Sequence, residues 1–480
     1  MAVPSDRDES VRLGTPGWLA RVMVSRGEEH RGKGSAPRVR RGRGDVELRD
    51  IARSKASATL SRPESGKARA SELTRTDQEP HRRLHGYRRS TVRTMASSYS
   101  TDPGLADLAR RWRADAFLAA GTEDVQTPAL VIDQDALDSN IAVMQGLIGN
   151  RWRPHVKTAK LGWAMRRLVD AGISRCKCAT PLELATALDA GFDDVLVAFA
   201  SRGPAAERIA RLALSTTQRV SVLVEHPSDL RQWAGTGVGI FIDLDPGSDR
   251  SGARCDDAAI VGDIAAAVSD AELELRGLHS YEGFPIGETA VERRHWCISG
   301  YDAVCRRAEE LAAAGYPVHE IVTSGSRSWP VALEHVGFAS VAEEHTVSPG
   351  TVVYSDVQTA FEGPWADALR PAAGVITRVI SIGRTRATLD AGHKAVAADV
   401  GVPTGLVLGR PDLRMQKPSE EHGPVAIGGG GNVTYGELLV IVPSHVCPTV
   451  NLHDHAVIVS DGRIVGVENV TARGHDRPLE

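Results

Sequence analysis

Arg153-Pro154-His155-Val156-Lys157-Thr158-Ala159-Lys160 places a histidine and two lysines after a short apolar and aromatic run. A helix-patterned stretch, Trp163 to Ala171, follows it. Lys157 therefore falls near the end of a strand, where a strand-to-helix loop opens. Parallel α/β enzymes keep their chemistry at the carboxyl ends of their strands. A lysine held there, partly shielded from water, can lose its proton and form a Schiff base with a carbonyl compound. Alone, these eight residues read better as a surface loop; the rest of the chain changes that. A second candidate lies far downstream in Pro443-Ser444-His445-Val446-Cys447. In extended chain an imidazole and a thiol two residues apart point the same way and can chelate one metal. Two protein donors leave positions open, as a catalytic zinc site needs. The thiolate favours zinc over manganese or magnesium. By itself a bare His-x-Cys is a weak signal.

Other strand ends add polar groups. Ile240-Phe241-Ile242-Asp243-Leu244-Asp245 leads into Ser248-Asp249-Arg250-Ser251-Gly252, where Arg250 could grip a carboxylate with two hydrogen bonds. Gly277-Leu278-His279-Ser280-Tyr281-Glu282-Gly283 brings three functional side chains to one strand end. Thr323-Ser324-Gly325-Ser326 offers hydroxyls and backbone N–H groups suited to a phosphate. Each has an ordinary structural alternative: a solvated arginine, satisfied hydrogen bonds, a plain turn. Cys176 and Cys178 share one face of a strand, and with no second pair they read as core thiols. Gly428-Gly429-Gly430-Gly431 lacks the Lys-Ser/Thr of a phosphate-binding P-loop and reads as a turn.

The elements that must position these groups follow from periodicity. Thr127–Asp133 reads as a strand with its proline at the entrance. The segment Asp135–Ile148 carries Leu137, Ile141, Met144 and Leu147 on one helical stripe. Strands are expected at Ser174–Ala179, Val195–Ala198, Val220–Val224, Gly239–Asp243, Leu275–His279, Glu320–Thr323 and near Val341. Helices are expected between most of them, among them Leu182–Ala190, Glu207–Ser215, Asp257–Val268 and Tyr301–Ala314. About eight β-α alternations are the arithmetic of a (β/α)8 barrel, although a doubly wound sheet has the same period. After residue 370 the helical pattern fades. Val375–Ile382, Thr385–Leu389, Leu406–Leu408, Glu437–Val442, His455–Val459 and Ile464–Glu468 read as short strands of a β domain.

The 480 residues, 42% of them hydrophobic, suffice for two or three domains with sizeable cores. No apolar run is long enough to span a membrane. The formal net charge of −4 hides an asymmetry. Residues 1–94 carry 22 Lys and Arg against 12 Asp and Glu, and the remainder carries 35 against 49. Segment 1–94 has few aromatic residues and no period, so it is expected to be disordered. It has no secretory h-region, and its acidic residues argue against a transit peptide. Its basic arm, Arg38 to Arg43, lacks the aromatic platform of a nucleic-acid binder. Met95-Ala96-Ser97-Ser98 would serve as a start, so the extension is expected to be dispensable or foreign to the working protein. Six scattered cysteines form no disulfide framework, which suits a reducing cytoplasm.

Taken in order, the motifs resemble the fold-type III pyridoxal-phosphate enzymes, and within them the D-threonine aldolase and D-serine dehydratase group. They are Arg-Pro-His-x-Lys-Thr-x-Lys at 153–160, Gly-Leu-x-x-Tyr-x-Gly at 277–283, and Pro349-Gly350 with Tyr354 and Asp356. Asp390-Ala391-Gly392-His393-Lys394, Ser419-Glu420-Glu421-His422-Gly423 and Val442-Pro443-Ser444-His445 through Asp454 complete the set. The resemblance implies a cofactor-binding barrel over residues 95–370, a metal-bearing β domain over 371–480, and a homodimer. It makes Lys157 the lysine bonded to pyridoxal phosphate, with His155 beside the cofactor. Thr323, Ser324, Gly325 and Ser326 become its phosphate loop, and Tyr281 and Arg250 become contacts to cofactor or substrate. His445 and Cys447 become ligands of zinc, or less plausibly manganese. Two departures stand out. The family usually has Thr-His-Lys where this chain has Thr158-Ala159-Lys160, and a Gly-Gly-Thr type loop where Gly325 here precedes Ser326-Arg327.

The implied activity is that of a lyase on D-β-hydroxy amino acids. In this family His-x-Cys resembles the dehydratases and His-x-Asp the aldolases, whereas Tyr281-Glu282-Gly283 is closer to the aldolases. Loss of water, giving a 2-oxo acid and ammonia, is the preferred expectation; cleavage to glycine and an aldehyde is the alternative. A barrel-only pyridoxal-phosphate carrier would lack the β domain, and an amino-acid racemase would need no metal.

Overall fold

The structure, a computed structural model, describes residues 103–283, 287 and 289–476. The expectations for residues 1–94 lie outside the described residues. The described chain begins with helix α1 (Pro103–Arg111) and then β1 (Ala129–Asp133). Asp133 ends β1 and caps helix α2 (Gln134–Ile148) by accepting from the Ala136 N–H. Helix α3 (Gly162–Asp170) follows the lysine segment.

Next comes the alternating run. It consists of β2 (Arg175–Cys178), α4 (Pro181–Ala190), β3 (Asp194–Val197), α5 (Pro204–Leu214), β4 (Arg219–Val224) and β5 (Gly239–Asp245). It continues with β6 (Ala253–Arg254), α6 (Ala258–Asp270), β7 (Glu274–Ser280), α7 (Ala290–Ala313) and β8 (Glu320–Thr323). Short helices α8 (Trp329–Glu334) and α9 (Phe338–Val341) lead to β9 (Glu344–Val347). The parallel order is β2-β3-β4-β5-β7-β8-β9, with β6 paired to β5. The eighth barrel position is taken by the lysine segment. Trp152 bridges Val347 of β9, and His155 bridges Lys177 of β2, both in parallel. These two contacts close the sheet into a barrel and decide against the open doubly wound sheet. The strand expected near Val341 begins at Glu344, because Phe338–Val341 turns once as a helix with Phe338 buried.

The second sheet contains β10 (Ala373–Ile382), β11 (Arg386–Leu389), β12 (Gly405–Val407), β13 (Leu413–Met415) and β14 (Gly423–Ile427). After these come β15 (Leu438–Pro443), the short helix α10 (Val446–Asn451), β16 (His455–Ser460) and β17 (Arg463–Asn469). β13 and β14 were not anticipated. Strand β1 belongs to this sheet, antiparallel to β10 and parallel to β16. The reason is burial on both faces: Leu130 and Ile132 pack in the main core, while Val131 packs in a separate cluster with Phe117 and Ile376. An uninterrupted apolar run suits any strand covered on both sides, so the pattern alone cannot assign its sheet.

Side-chain alternation sorts the barrel into two layers. Cys176 and Cys178 face outward into the helix layer, as expected of core thiols. Leu196, Leu223, Phe241 and Val322 form a small cluster of their own inside the barrel. Deeper within lies a buried ionic group. Arg153 pairs with Asp194 at 3.0 Å and Glu320 at 2.9 Å, and Arg276 pairs with Asp194 at 2.9 Å. Burial alone would raise the Asp194 pKa, but Arg153 and Arg276 hold it at about 2.

Candidate active site

Lys157 sits at the carboxyl end of the first barrel position, and its segment is fixed from several sides. The Val156 N–H donates to the Lys177 carbonyl at 2.8 Å, and the Lys177 N–H donates to the Pro154 carbonyl at 2.9 Å. After Lys157, the buried Ala159 carbonyl accepts from the Tyr354 hydroxyl at 2.9 Å. Lys160 takes a left-handed φ of 50° and buries its ammonium against Glu183 at 2.9 Å. Gly350 passes so close to the His155 carbonyl that a Cβ there would overlap it. Tyr354 and Gly350 thus earn their places in the motif by anchoring the lysine loop. Ala159 fills a slot in the core, so an apolar residue there fits the packing.

Around Lys157 the barrel presents a buried polar interior. The His155 imidazole is held well below its ordinary pKa by burial and by the charges of Lys157 and Lys177. Lys177, on β2, donates to His279 Nε2 at 3.2 Å, and His279 Nδ1 lies 2.7 Å from Asp243 Oδ1. Burial first, then the charge of Lys157, pushes the Lys177 pKa down to about 7. Tyr281 lies over this group, with Lys177 Nζ 5.8 Å and the Arg250 guanidinium carbon 5.1 Å from its ring centre. Arg250 itself is exposed.

The loop after β8 carries the hydroxyls singled out in the sequence. The Thr323 hydroxyl meets His345 Nε2 at 2.8 Å. Ser324 takes a φ of 63°. The Gly325 N–H donates to the Ser328 hydroxyl at 3.2 Å, which donates to Glu282 at 2.9 Å. Ser326 accepts from the Thr351 N–H at 3.1 Å. A side chain at Gly325 would run into the Tyr281 ring. Among the described residues the hydroxyls of Ser324 and Ser348 are buried without a hydrogen-bond partner. The Ser348 N–H donates to the Thr323 carbonyl, so the two orphaned hydroxyls lie at neighbouring strand ends. Buried hydroxyls normally find partners, and a phosphate would supply them.

His445 and Cys447 are brought together, but not in extended chain. His445 precedes α10, and Cys447 lies in its first turn. Asp356 fixes that helix start by accepting from the Val446 N–H at 3.0 Å. The two side chains lie close enough to shift each other's pKa, His445 upward and Cys447 downward, and His445 Nδ1 is 2.6 Å from Asp399. Cys447 Sγ lies 3.0 Å from the Thr158 hydroxyl, one residue from Lys157. A histidine oriented by a carboxylate through its other nitrogen is the usual arrangement around a bound metal. The donor set therefore fits a zinc ion with two open positions, and no third His, Cys, Asp or Glu joins it among the described residues.

Lys177, Ser348, Asp243 and Asp399 were not picked out from sequence. Alternation could have found Lys177, since Cys176 and Cys178 facing the helices leaves the residue between them facing the barrel interior. Nothing local marks Asp399, which is separated from His445 by 46 positions.

A barrel closed by an N-terminal lysine segment, a buried hydroxyl-lined loop at β8 and β9, and an adjoining β domain together define a fold-type III pyridoxal-phosphate enzyme. Residues 132–354 match the model of the alanine racemase N-terminal domain, and 372–459 match that of the putative serine dehydratase domain. A 3-hydroxy-D-aspartate aldolase of Paracoccus denitrificans is 30% identical over 369 residues, covering 73% of this chain and 93% of that one. A D-threo-3-hydroxyaspartate dehydratase of Delftia sp. is 28% identical, covering 71% of this chain and 96% of that one. The crystal structure of the D-threonine aldolase from Filomicrobium marinum superposes with a TM-score of 0.66 at 28% identity, covering 75% of this chain and 99% of that one. The chain belongs to the D-threonine aldolase and D-serine dehydratase family, and it is a pyridoxal-phosphate-dependent lyase of D-hydroxy amino acids.

Proposed function

We propose that this lyase removes water from D-β-hydroxy amino acids with the help of a divalent metal, yielding a 2-oxo acid and ammonia. The observation that carries this reading is Cys447 as partner of His445, directly beside Thr158 and Lys157. A thiolate and an imidazole suit zinc better than manganese or magnesium. Zinc so held supplies Lewis acidity where a β-hydroxyl departs. Pyridoxal phosphate, when bound, supplies an electron sink for the pair left at Cα.

The chain's own residues do the rest. Lys157 would bond the cofactor and, as a free amine, would take the Cα proton. The Ser324 and Ser348 hydroxyls bind the phosphate. Tyr281 bounds the pocket, and Arg250 above it receives the substrate carboxylate. Asp399 holds the His445 ring through Nδ1. Glu282 and Ser328 brace the phosphate loop from below.

A second reading is cleavage of Cα–Cβ to glycine and an aldehyde. The 30% identity to a 3-hydroxy-D-aspartate aldolase favours it. In either case Cys447→Ala should lose bound zinc and lower kcat on the order of 10²-fold or more while keeping the cofactor. Metal analysis beside the visible absorbance of the cofactor checks this, and a fully active, zinc-free variant would refute the metal site.

A further inference from the structure

Two threonine hydroxyls converge on the Cys447 sulfur, and the mechanism uses neither. Thr158 Oγ1 lies 3.0 Å from Sγ, and Thr351 Oγ1 lies 3.6 Å from it. They come from separate elements. Thr158 belongs to the turn that carries Lys157, and Thr351 opens the single turn Thr351–Val353 after β9. Both turns are fixed through their backbones. The Lys160 N–H donates to the Val156 carbonyl at 3.0 Å, which closes the turn around Lys157, Thr158 and Ala159. The Tyr354 N–H donates to the Thr351 carbonyl at 3.2 Å, and the Thr351 N–H donates to the Ser326 hydroxyl at 3.1 Å.

Thr158 is wholly buried, and among the described residues the sulfur is its hydroxyl's one hydrogen-bond partner. Buried hydroxyls are ordinarily satisfied. A neutral thiol, a weak donor and a weak acceptor, would serve this one poorly. A thiolate would serve it well, because a hydrogen bond to a charged group is roughly twice as strong as a neutral one. The thiolate is also the form in which cysteine binds a metal. If residue 158 had only to fill space, valine, of the same shape, would do so without a polar atom to satisfy.

We propose that Thr158 and Thr351 are positioning residues that donate hydrogen bonds to the Cys447 thiolate and so limit the charge it gives to a bound metal. The inference rests on the reading of Cys447 as a metal ligand. Electron donation from sulfur partly neutralises the metal. Hydroxyl protons directed at the sulfur draw some of that density back, which leaves the metal a stronger Lewis acid toward a departing β-hydroxyl. Hydrogen bonds to ligating sulfurs tune other thiolate-held metal centres in the same way.

The test uses the full chain with its cofactor, loaded with cobalt(II) in one sample and zinc in another. The difference spectrum cancels the cofactor and leaves the sulfur-to-cobalt charge-transfer band, whose energy reads how freely the sulfur gives up charge. Thr158→Val should move this band to longer wavelength. Thr351→Val should move it the same way but less, since its hydroxyl is the more distant. Thr158→Ser, which keeps the hydroxyl, should restore the wild-type position. An unmoved band in both valine variants would overturn the proposal. Equal shifts in Thr158→Ser and Thr158→Val would overturn it too, by tracing the effect to packing. Failure of the underlying reading looks different: the wild type would show no such band, or Cys447→Ala would keep it, and the proposal would fall with that reading.

Discussion

Among the described residues the Lys157 side chain makes no hydrogen bond, although the ionisable groups of His155 and Lys177 feel its charge. Such a group is poised to bond a ligand rather than to hold the fold. Lys157→Ala is therefore expected to fold normally and to lose the visible absorbance of the bonded cofactor. A spectrum like the wild type's would reject Lys157 as the bonding residue. The two orphaned hydroxyls carry a similar argument. A hydrogen bond to a charged group contributes about 1.5–3 kcal/mol, so Ser324→Ala and Ser348→Ala should each weaken cofactor binding by on the order of tenfold or more. Equilibrium titration of the apoenzyme measures this, and unchanged affinity in both variants would move the phosphate elsewhere. The lysine, the Ser324–Ser326 loop and the His445/Cys447 pair are legible as candidates because each is a short run whose members stay together in space. The contact between the Thr323 hydroxyl and His345 could not be read from sequence, because the two lie on different strands.

At the scale of elements, the barrel is held open for chemistry at one end and tied by charge below. Arg153 is fully buried, and its two carboxylate partners come from β3 and β8. Such an assembly resists the loss of one member, because the others are left buried and uncompensated. Arg153→Met should destabilise the fold by about 3–5 kcal/mol, readable as a lowered midpoint in urea. The pH dependence has a definite sign. The Asp194 pKa is lowered from 3.8 to about 2 in the fold. Its stabilising contribution is complete above about 4 and is lost as the pH falls through about 2. Helices and strands of the alternating run were legible because each buries a regular stripe. The lysine segment was legible as a strand only in part: it makes two bridges, at Trp152 and His155, rather than a ladder. The first turn of α10 was missed because His445-Val446-Cys447-Pro448 carries no helical period, and its start is set by Asp356, 90 positions away.

At the scale of the molecule, the two sheets are stitched together by the chain's path. Strand β1 threads into the sheet of β10, β15 and β16 before the barrel begins, so the β domain cannot be assembled from the C-terminal part alone. That placement was invisible in the sequence, since an all-apolar strand announces burial but not its neighbours. Its consequence is functional: the sheet carrying α10 is locked against the barrel, which puts Cys447 within 3.0 Å of the Thr158 hydroxyl and hence beside Lys157. The Lys157 segment and the His445/Cys447 pair therefore converge. No helix among the described residues is long and apolar enough to cross a membrane. The central claim is that this convergence expels water from a D-β-hydroxy amino acid. The most direct test is to identify the products formed from D-threonine by the zinc- and cofactor-loaded enzyme. The account predicts 2-oxobutanoate and ammonia in equal amounts. Glycine and acetaldehyde in their place would contradict it, and would show that Cys447 beside His445 does not set the course of the reaction.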